Sequence, residues 1–71
     1  MHGFIHYYKI KVFVDNGMQR YETWKYVFAE STDKAIEAIL KHYNSQLDTF
    51  AKVIEIYNYL VQDTMIFDNK L

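Results

Sequence analysis

The stretch of sequence that decides the fold runs from residue 8 to residue 43 and reads YKIKVFVDNGMQRYETWKYVFAESTDKAIEAILKHY. Its first part has the period-two alternation of a strand that is covered on one face. One side of this strand carries Tyr8, Ile10, Val12 and Val14, and the other carries Tyr7, Lys9, Lys11 and Phe13. The residues Asp15-Asn16-Gly17 tolerate positive φ angles, so they predict a reversal into a hairpin. We therefore expect a second strand from about Gln19 to Ala29.

A helix is expected directly after this hairpin, over roughly residues 32–44. Ser31 is placed as its N-cap, because the hydroxyl can accept a hydrogen bond from a free backbone N–H of the first turn. Asp33 adds negative charge near the positive end of the helix. One helical face collects the apolar side chains, which is typical of a helix that packs on a sheet. These are Ile36, Ile39, Leu40 and Tyr43, with Ala35 beside them.

The remaining sequence predicts a third strand over residues 50–61, a tight reversal at Gln62-Asp63 and a short fourth strand over residues 64–67. The order of elements is then ββαβ(β). A right-handed crossover places strand three antiparallel beside strand one, which gives the sheet order 2-1-3-4. We expect an α+β fold in one domain spanning residues 1–71, with one helix on one face of an antiparallel sheet.

The second strand leaves open which face of the sheet meets the helix. Its sides are Trp24, Tyr26 and Phe28 against Thr23, Lys25, Val27 and Ala29. Small side chains suit close helix packing, which favours exposed aromatic residues. The alternative is an aromatic core with the smaller side in solvent, and a single β-bulge would exchange the two sides. In the third strand the same alternation sets Ile54 and Ile56 against Val53, Tyr57 and Tyr59.

Composition indicates a protein that needs a partner. Thirteen of the 71 residues are Phe, Tyr or Trp, more than one helix can cover. A core of this size rarely supplies more than about 3–5 kcal/mol, and the chain has no cysteine for a disulfide. We therefore expect a non-enzymatic protein-binding module that binds another protein or a second copy of itself as a homodimer. The expected partner-binding residues are Trp24, Tyr26, Phe28, Tyr57 and Tyr59.

Charge provides the alternative function. The net charge of −1 gives no general attraction to nucleic acid or to a membrane, but the hairpin itself is mildly basic. Together with the hairpin aromatics, four basic residues could form a platform for single-stranded nucleic acid. They are Lys9, Lys11, Arg20 and Lys25. No apolar run is long enough to span a membrane and no signal peptide is evident, so we expect a soluble cytoplasmic protein.

Catalytic and metal-binding patterns are weak. His2 and His6 lie on the same side of an extended chain, but a metal site would need a third ligand such as His42. The acidic residues are scattered, and two glycines cannot form a phosphate-binding loop. We expect no metal, no cofactor and no enzymatic activity.

The run Val27-Phe28-Ala29-Glu30-Ser31-Thr32-Asp33-Lys34-Ala35-Ile36 resembles the strand-to-helix junction of many short proteins of bacteriophages and mobile elements. A similar junction occurs in the arm-DNA-binding domains of phage integrases, which are strongly basic and end after the helix, unlike this chain. The resemblance implies a phage or mobile-element origin. It also implies an inhibitor of one host protein, of the anti-CRISPR or other anti-defence type, acting in the cytoplasm of a bacterial host.

Overall fold

A computed structural model describes residues 4–67 of the chain. They form four strands and one helix: β1 (His6–Asp15), β2 (Arg20–Ala29), α1 (Thr32–Asn44), β3 (Phe50–Asn58) and β4 (Asp63–Ile66). The strands form one antiparallel sheet in the order β2-β1-β3-β4. The α+β fold, the element order and the sheet order predicted from the sequence are confirmed.

The β1–β2 hairpin closes through the polar side chains of its turn. The Asn16 N–H donates to the Gln19 carbonyl over 3.1 Å, and the Gly17 N–H donates to Asp15 Oδ1 over 2.9 Å. Gly17 has a φ of +89°, in the left-handed region where a residue without Cβ carries little penalty. The predicted reversal at Asp15-Asn16-Gly17 therefore has the expected chemistry.

Helix α1 begins at the predicted cap. Ser31 Oγ accepts a hydrogen bond from the Lys34 N–H over 3.2 Å, and Ser31 itself keeps an extended conformation. Along the helix, Ala35, Ile39 and Tyr43 are buried. The neighbouring Ile36 and Leu40 are half-buried and pack at the rim of the same face. The predicted apolar face is confirmed, with Ala35 at its centre and not at its side.

The core lies between α1 and the inner side of β1. That side is almost completely shielded from solvent, with no side chain more than 1% exposed, and its residues are Tyr8, Ile10, Val12 and Val14. The inner side of β3 adds Ala51, Val53 and Ile56. On β2, Val27 and Ala29 pack against the edge of this cluster. The small side of β2 therefore faces the helix, and the alternative of an aromatic core does not hold.

One prediction about β3 is wrong. The alternation grouped Val53 with Tyr57 and opposed it to Ile56, but Val53 pairs with Val12 while Ile56 pairs with Ile10, both on the inner side of β1. The pairing register shifts between Lys11 and Val12, which leaves Ile54 as an extra residue, buried but without a partner on β1. Such a bulge reverses the phase of the alternation.

The C-terminal strands also differ from the predicted bounds. β3 ends at Asn58, three residues before the expected end at Val61, and the turn occupies residues 59–62. The Asn58 side chain accepts a hydrogen bond from the Leu60 N–H over 2.9 Å, and Gln62 takes a φ of +53°; both features close the turn. The sequence did not indicate this turn, because residues 59–61 are of types that favour strands. β4 begins at Asp63, inside the expected reversal.

Candidate protein-binding face

The outer side of the sheet, turned away from α1, is called here the open face. Cross-strand pairing fixes its members, because directly opposed residues point to the same side. From β1 and β2 these are Tyr7, Lys9, Lys11, Phe13, Asp15, Arg20, Glu22, Trp24, Tyr26 and Phe28, and from β3 they include Lys52, Glu55 and Tyr57. Within residues 4–67, no helix or strand packs over this side.

The aromatic residues expected to bind a partner all lie on the open face. Trp24 is 39% exposed, Tyr26 54% and Phe28 69%, values far above those of the core. Tyr57 on β3 is half-buried, and Tyr59, which is 42% exposed, follows it at the start of the turn. The prediction of their exposure on one side is correct. Their role in binding stays a prediction.

Tyr7 stands at the centre of these rings. Its ring centroid lies 4.7 Å from that of Phe28, 5.1 Å from that of Tyr59 and 5.9 Å from that of Tyr26. Tyr57 joins through an edge-to-face contact with Tyr59 at 4.8 Å. We call these five residues the aromatic cluster. Because each ring is held by its neighbours, the cluster presents a surface that loses little conformational entropy when a partner binds.

Sequence reasoning did not include Tyr7 among the partner-binding residues. The alternation placed Tyr7 correctly on the side of β1 that carries Lys9. Its position at the centre of the aromatic cluster, however, depends on the register that puts it opposite Phe28. The loop length of the hairpin sets this register. Counting back from the Asp15–Arg20 pair would have brought Tyr7 and Phe28 together.

Two lysines occupy the middle of the open face, beside Trp24. Lys9 Nζ lies 4.6 Å from the centre of the Trp24 ring and Lys11 Nζ lies 5.6 Å from it, so both make cation–π contacts. Lys11 is also paired with Glu22, with 3.3 Å between Nζ and Oε1. The charges of the face thus lie next to carboxylates or against the indole, and they do not form a continuous basic stripe.

The structure divides the four residues of the alternative nucleic-acid site. Lys9 and Lys11 lie on the open face, but Lys25 lies on the helix side with its Nζ 5.9 Å from the Tyr43 ring. Arg20 is held at the hairpin end, where its Nε is 3.1 Å from Asp15 Oδ2. A basic platform made of all four residues is therefore not formed by this hairpin.

The histidines do not come together. His2 lies outside the described residues. His6 packs on the buried Tyr8 ring, and its Nδ1 is 2.7 Å from Asn58 Nδ2, while His42 lies beside Tyr43 on the helix. In the described part of the chain, no three metal-ligating side chains are grouped as a cation would need.

No helix among residues 4–67 is long and apolar enough to cross a membrane.

Comparison with known proteins returns nothing that could assign the face: the chain matches no protein-family model, no curated protein and no solved structure.

Proposed function

We propose that this protein is a non-enzymatic binding module whose open face docks on a partner protein. We further propose that it acts as an inhibitor of phage or mobile-element type, which covers a working surface of a bacterial host protein. The observation that carries the proposal is the aromatic cluster together with Trp24, exposed on a face that α1 leaves uncovered. Tyrosine and tryptophan are the residues that most often dominate protein interfaces.

The size of the face supports this function. Two strands of ten residues, one of nine and one of four, spaced about 4.8 Å apart with about 3.3 Å per residue, give a projected area of about 500 Å². A standard protein–protein interface buries about 800 Å² on each partner. The sheet, with the side chains at its rim, is thus large enough for one recognition surface.

The charge distribution favours a protein over nucleic acid. Glu22 neutralises Lys11, and Asp15 neutralises Arg20, so few cations remain free to release counterions from phosphates. The observation that favours the second candidate is the placement of Lys9 and Lys11 over Trp24, since a base can stack on an indole flanked by cations.

A single tryptophan makes the test direct, because all indole fluorescence of the chain comes from Trp24, which lies on the open face. We expect wild-type protein to capture a host protein from a nuclease-treated bacterial lysate and to keep it when the salt concentration is raised. The purified partner should then shift the Trp24 emission as it covers the ring. Its own activity should fall in proportion to complex formation.

Two variants separate a binding role from a structural one. Trp24→Ala and Tyr57→Ala should each weaken the complex about 30-fold or more, which corresponds to a loss of about 2 kcal/mol, while circular dichroism shows a folded domain. Lys34→Ala, on the solvent side of the helix, is the matched control and should bind like wild type. Unchanged binding by a folded Trp24→Ala variant would refute the proposal. Steeply salt-dependent quenching by an oligonucleotide, lost in Lys9→Ala, would favour the nucleic-acid function instead.

A further inference from the structure

The two edges of the sheet differ in a way that concerns association. At one edge β4 has four residues, a length that offers little to a foreign strand. At the other edge β2 has ten residues, contains no proline and pairs with β1 without a register shift. An edge strand that is long and regular is a template for another strand unless charges or bulges block it.

The turn determines which backbone groups of β2 point outward. The Asn16–Gln19 hydrogen bond makes that pair a hydrogen-bonded one, and such pairs alternate along an antiparallel ladder. Tyr21, Thr23 and every second residue after them therefore direct their N–H and C=O groups toward β1. The outward groups belong to the residues between them, which are Arg20, Glu22, Trp24, Tyr26 and Phe28.

Charge selects one arrangement of two such edges. When a strand pairs antiparallel with a copy of itself in one continuous sheet, a two-fold axis passes through one residue that faces its own copy. Two registers use nearly the whole of β2. One sets Lys25 against Lys25, which like-charge repulsion disfavours, and the other sets Trp24 against Trp24.

We propose that the outer edge of β2 pairs antiparallel with β2 of a second copy of this chain, with Trp24 opposite Trp24. The five outward residues on each strand then form about ten hydrogen bonds. Glu22 lies opposite Tyr26 and Arg20 opposite Phe28, so no like charges face each other. The result is an eight-stranded sheet in which the two open faces merge into one continuous surface.

A second copy fits this edge better than a foreign strand, because the outward residues complement themselves in this register. A small domain without disulfides also gains most from another subunit. The inference does not rest on the proposed function, since it concerns the edge of the sheet and not its face.

Cysteine cross-linking tests the register in a chain that has no cysteine of its own. Hydrogen-bonded partners have Cα atoms about 5.5 Å apart, within the about 4.4–6.8 Å range of disulfides. Trp24→Cys should therefore form a disulfide-linked dimer on mild oxidation. Lys25→Cys, which would face Thr23, is the control and should remain monomeric on a non-reducing gel. Cross-linking through position 25 and not through position 24 would overturn the proposal.

Sedimentation of two variants at one position tests the edge itself. Glu22→Pro removes an outward N–H and leaves the β1–β2 ladder intact, while Glu22→Thr loses the same ion pair with Lys11 but keeps the N–H. Wild type and Glu22→Thr should sediment as dimers, and Glu22→Pro as a monomer with an unchanged circular dichroism spectrum. A monomeric wild type at millimolar concentration, or a dimeric Glu22→Pro, would contradict the proposal.

Tyr57→Ala keeps failure of this proposal apart from failure of the proposed function. Tyr57 lies on β3, away from the β2 edge, so its truncation should leave the dimer intact whatever it does to partner binding. Loss of the dimer in Tyr57→Ala would show that copies associate through the open face and would overturn the edge pairing.

Discussion

Replacement of Ile39 by aspartate should unfold the domain. Ile39 is 7% exposed at the middle of the helix face that covers the sheet, so almost all of its side chain is removed from water. Truncation of such a residue to alanine costs about 2–5 kcal/mol. A carboxylate at the same site adds the cost of burying a charge without a partner. The sum exceeds the about 3–5 kcal/mol that a core of this size supplies.

The matched control is Ala38→Asp, one residue earlier on the solvent side of α1. There the carboxylate stays hydrated and the cost is the helix propensity of aspartate, about 0.7 kcal/mol or less. With about 4–8 °C per kcal/mol for a domain of this length, the melting temperature of Ala38→Asp should fall by no more than about 3–6 °C. Ile39→Asp should show no cooperative melting transition at all.

The stability of both variants can be measured by thermal and urea unfolding followed by circular dichroism, at one protein concentration for all variants. Equal melting temperatures for Ile39→Asp and Ala38→Asp would show that α1 does not bury this face. The packing of the core described above would then be wrong, because Ile39 lies on the same helix stripe as Ala35 and Tyr43.

Further variants probe three local features: the helix cap, the hairpin turn and the histidines. Ser31→Ala should lose about 1 kcal/mol, because the Lys34 N–H loses its acceptor, and Ser31→Asp should restore it; a melting temperature unchanged by the alanine would argue against the cap. Gly17→Ala should cost about 1–2 kcal/mol through its φ of +89°, and Gly17→Asn less, as measured by urea unfolding; equal losses would instead indicate a steric cause. The sequence predicts that replacing His2, His6 and His42 together changes neither fold nor activity. The structure limits this expectation to His42→Ala, because His6→Ala should cost about 1 kcal/mol through the lost contact with Asn58. Equal melting curves for the two single variants would refute that distinction.

Local signals in the sequence were enough for the hairpin and the helix. Asp15-Asn16-Gly17 and Ser31 act through neighbouring backbone groups, so their effect can be read from a few adjacent residues. The small side chains Val27 and Ala29 also indicated correctly which side of β2 meets the helix.

Features that depend on pairing across the sheet could not be predicted in this way. The bulge at Ile54 arises from the way β3 pairs with β1, and no residue type in β3 predicts it. The central place of Tyr7 and the contact between His6 and Asn58 likewise join residues that only the register brings together. The alternative nucleic-acid site included Lys25 because of its positive charge, although the alternation of β2 already placed Lys25 on the side opposite Trp24.

The position of β1 between β2 and β3 has a consequence for how the chain reaches this structure. β2 follows β1 after a four-residue connection, and a hairpin of this kind forms in about 1–10 μs. β3 can pair only after the hairpin and α1 have been brought round, and such distant pairings are the slow steps of folding. Until then β1, whose inner side is the most completely buried in the finished structure, is paired on one edge only. The helix forms locally and shares one core cluster with Tyr8, Ile10 and Val12, so it is the element that can shield β1 during this interval. We therefore expect a variant with a weakened α1 to lose refolding yield as well as final stability.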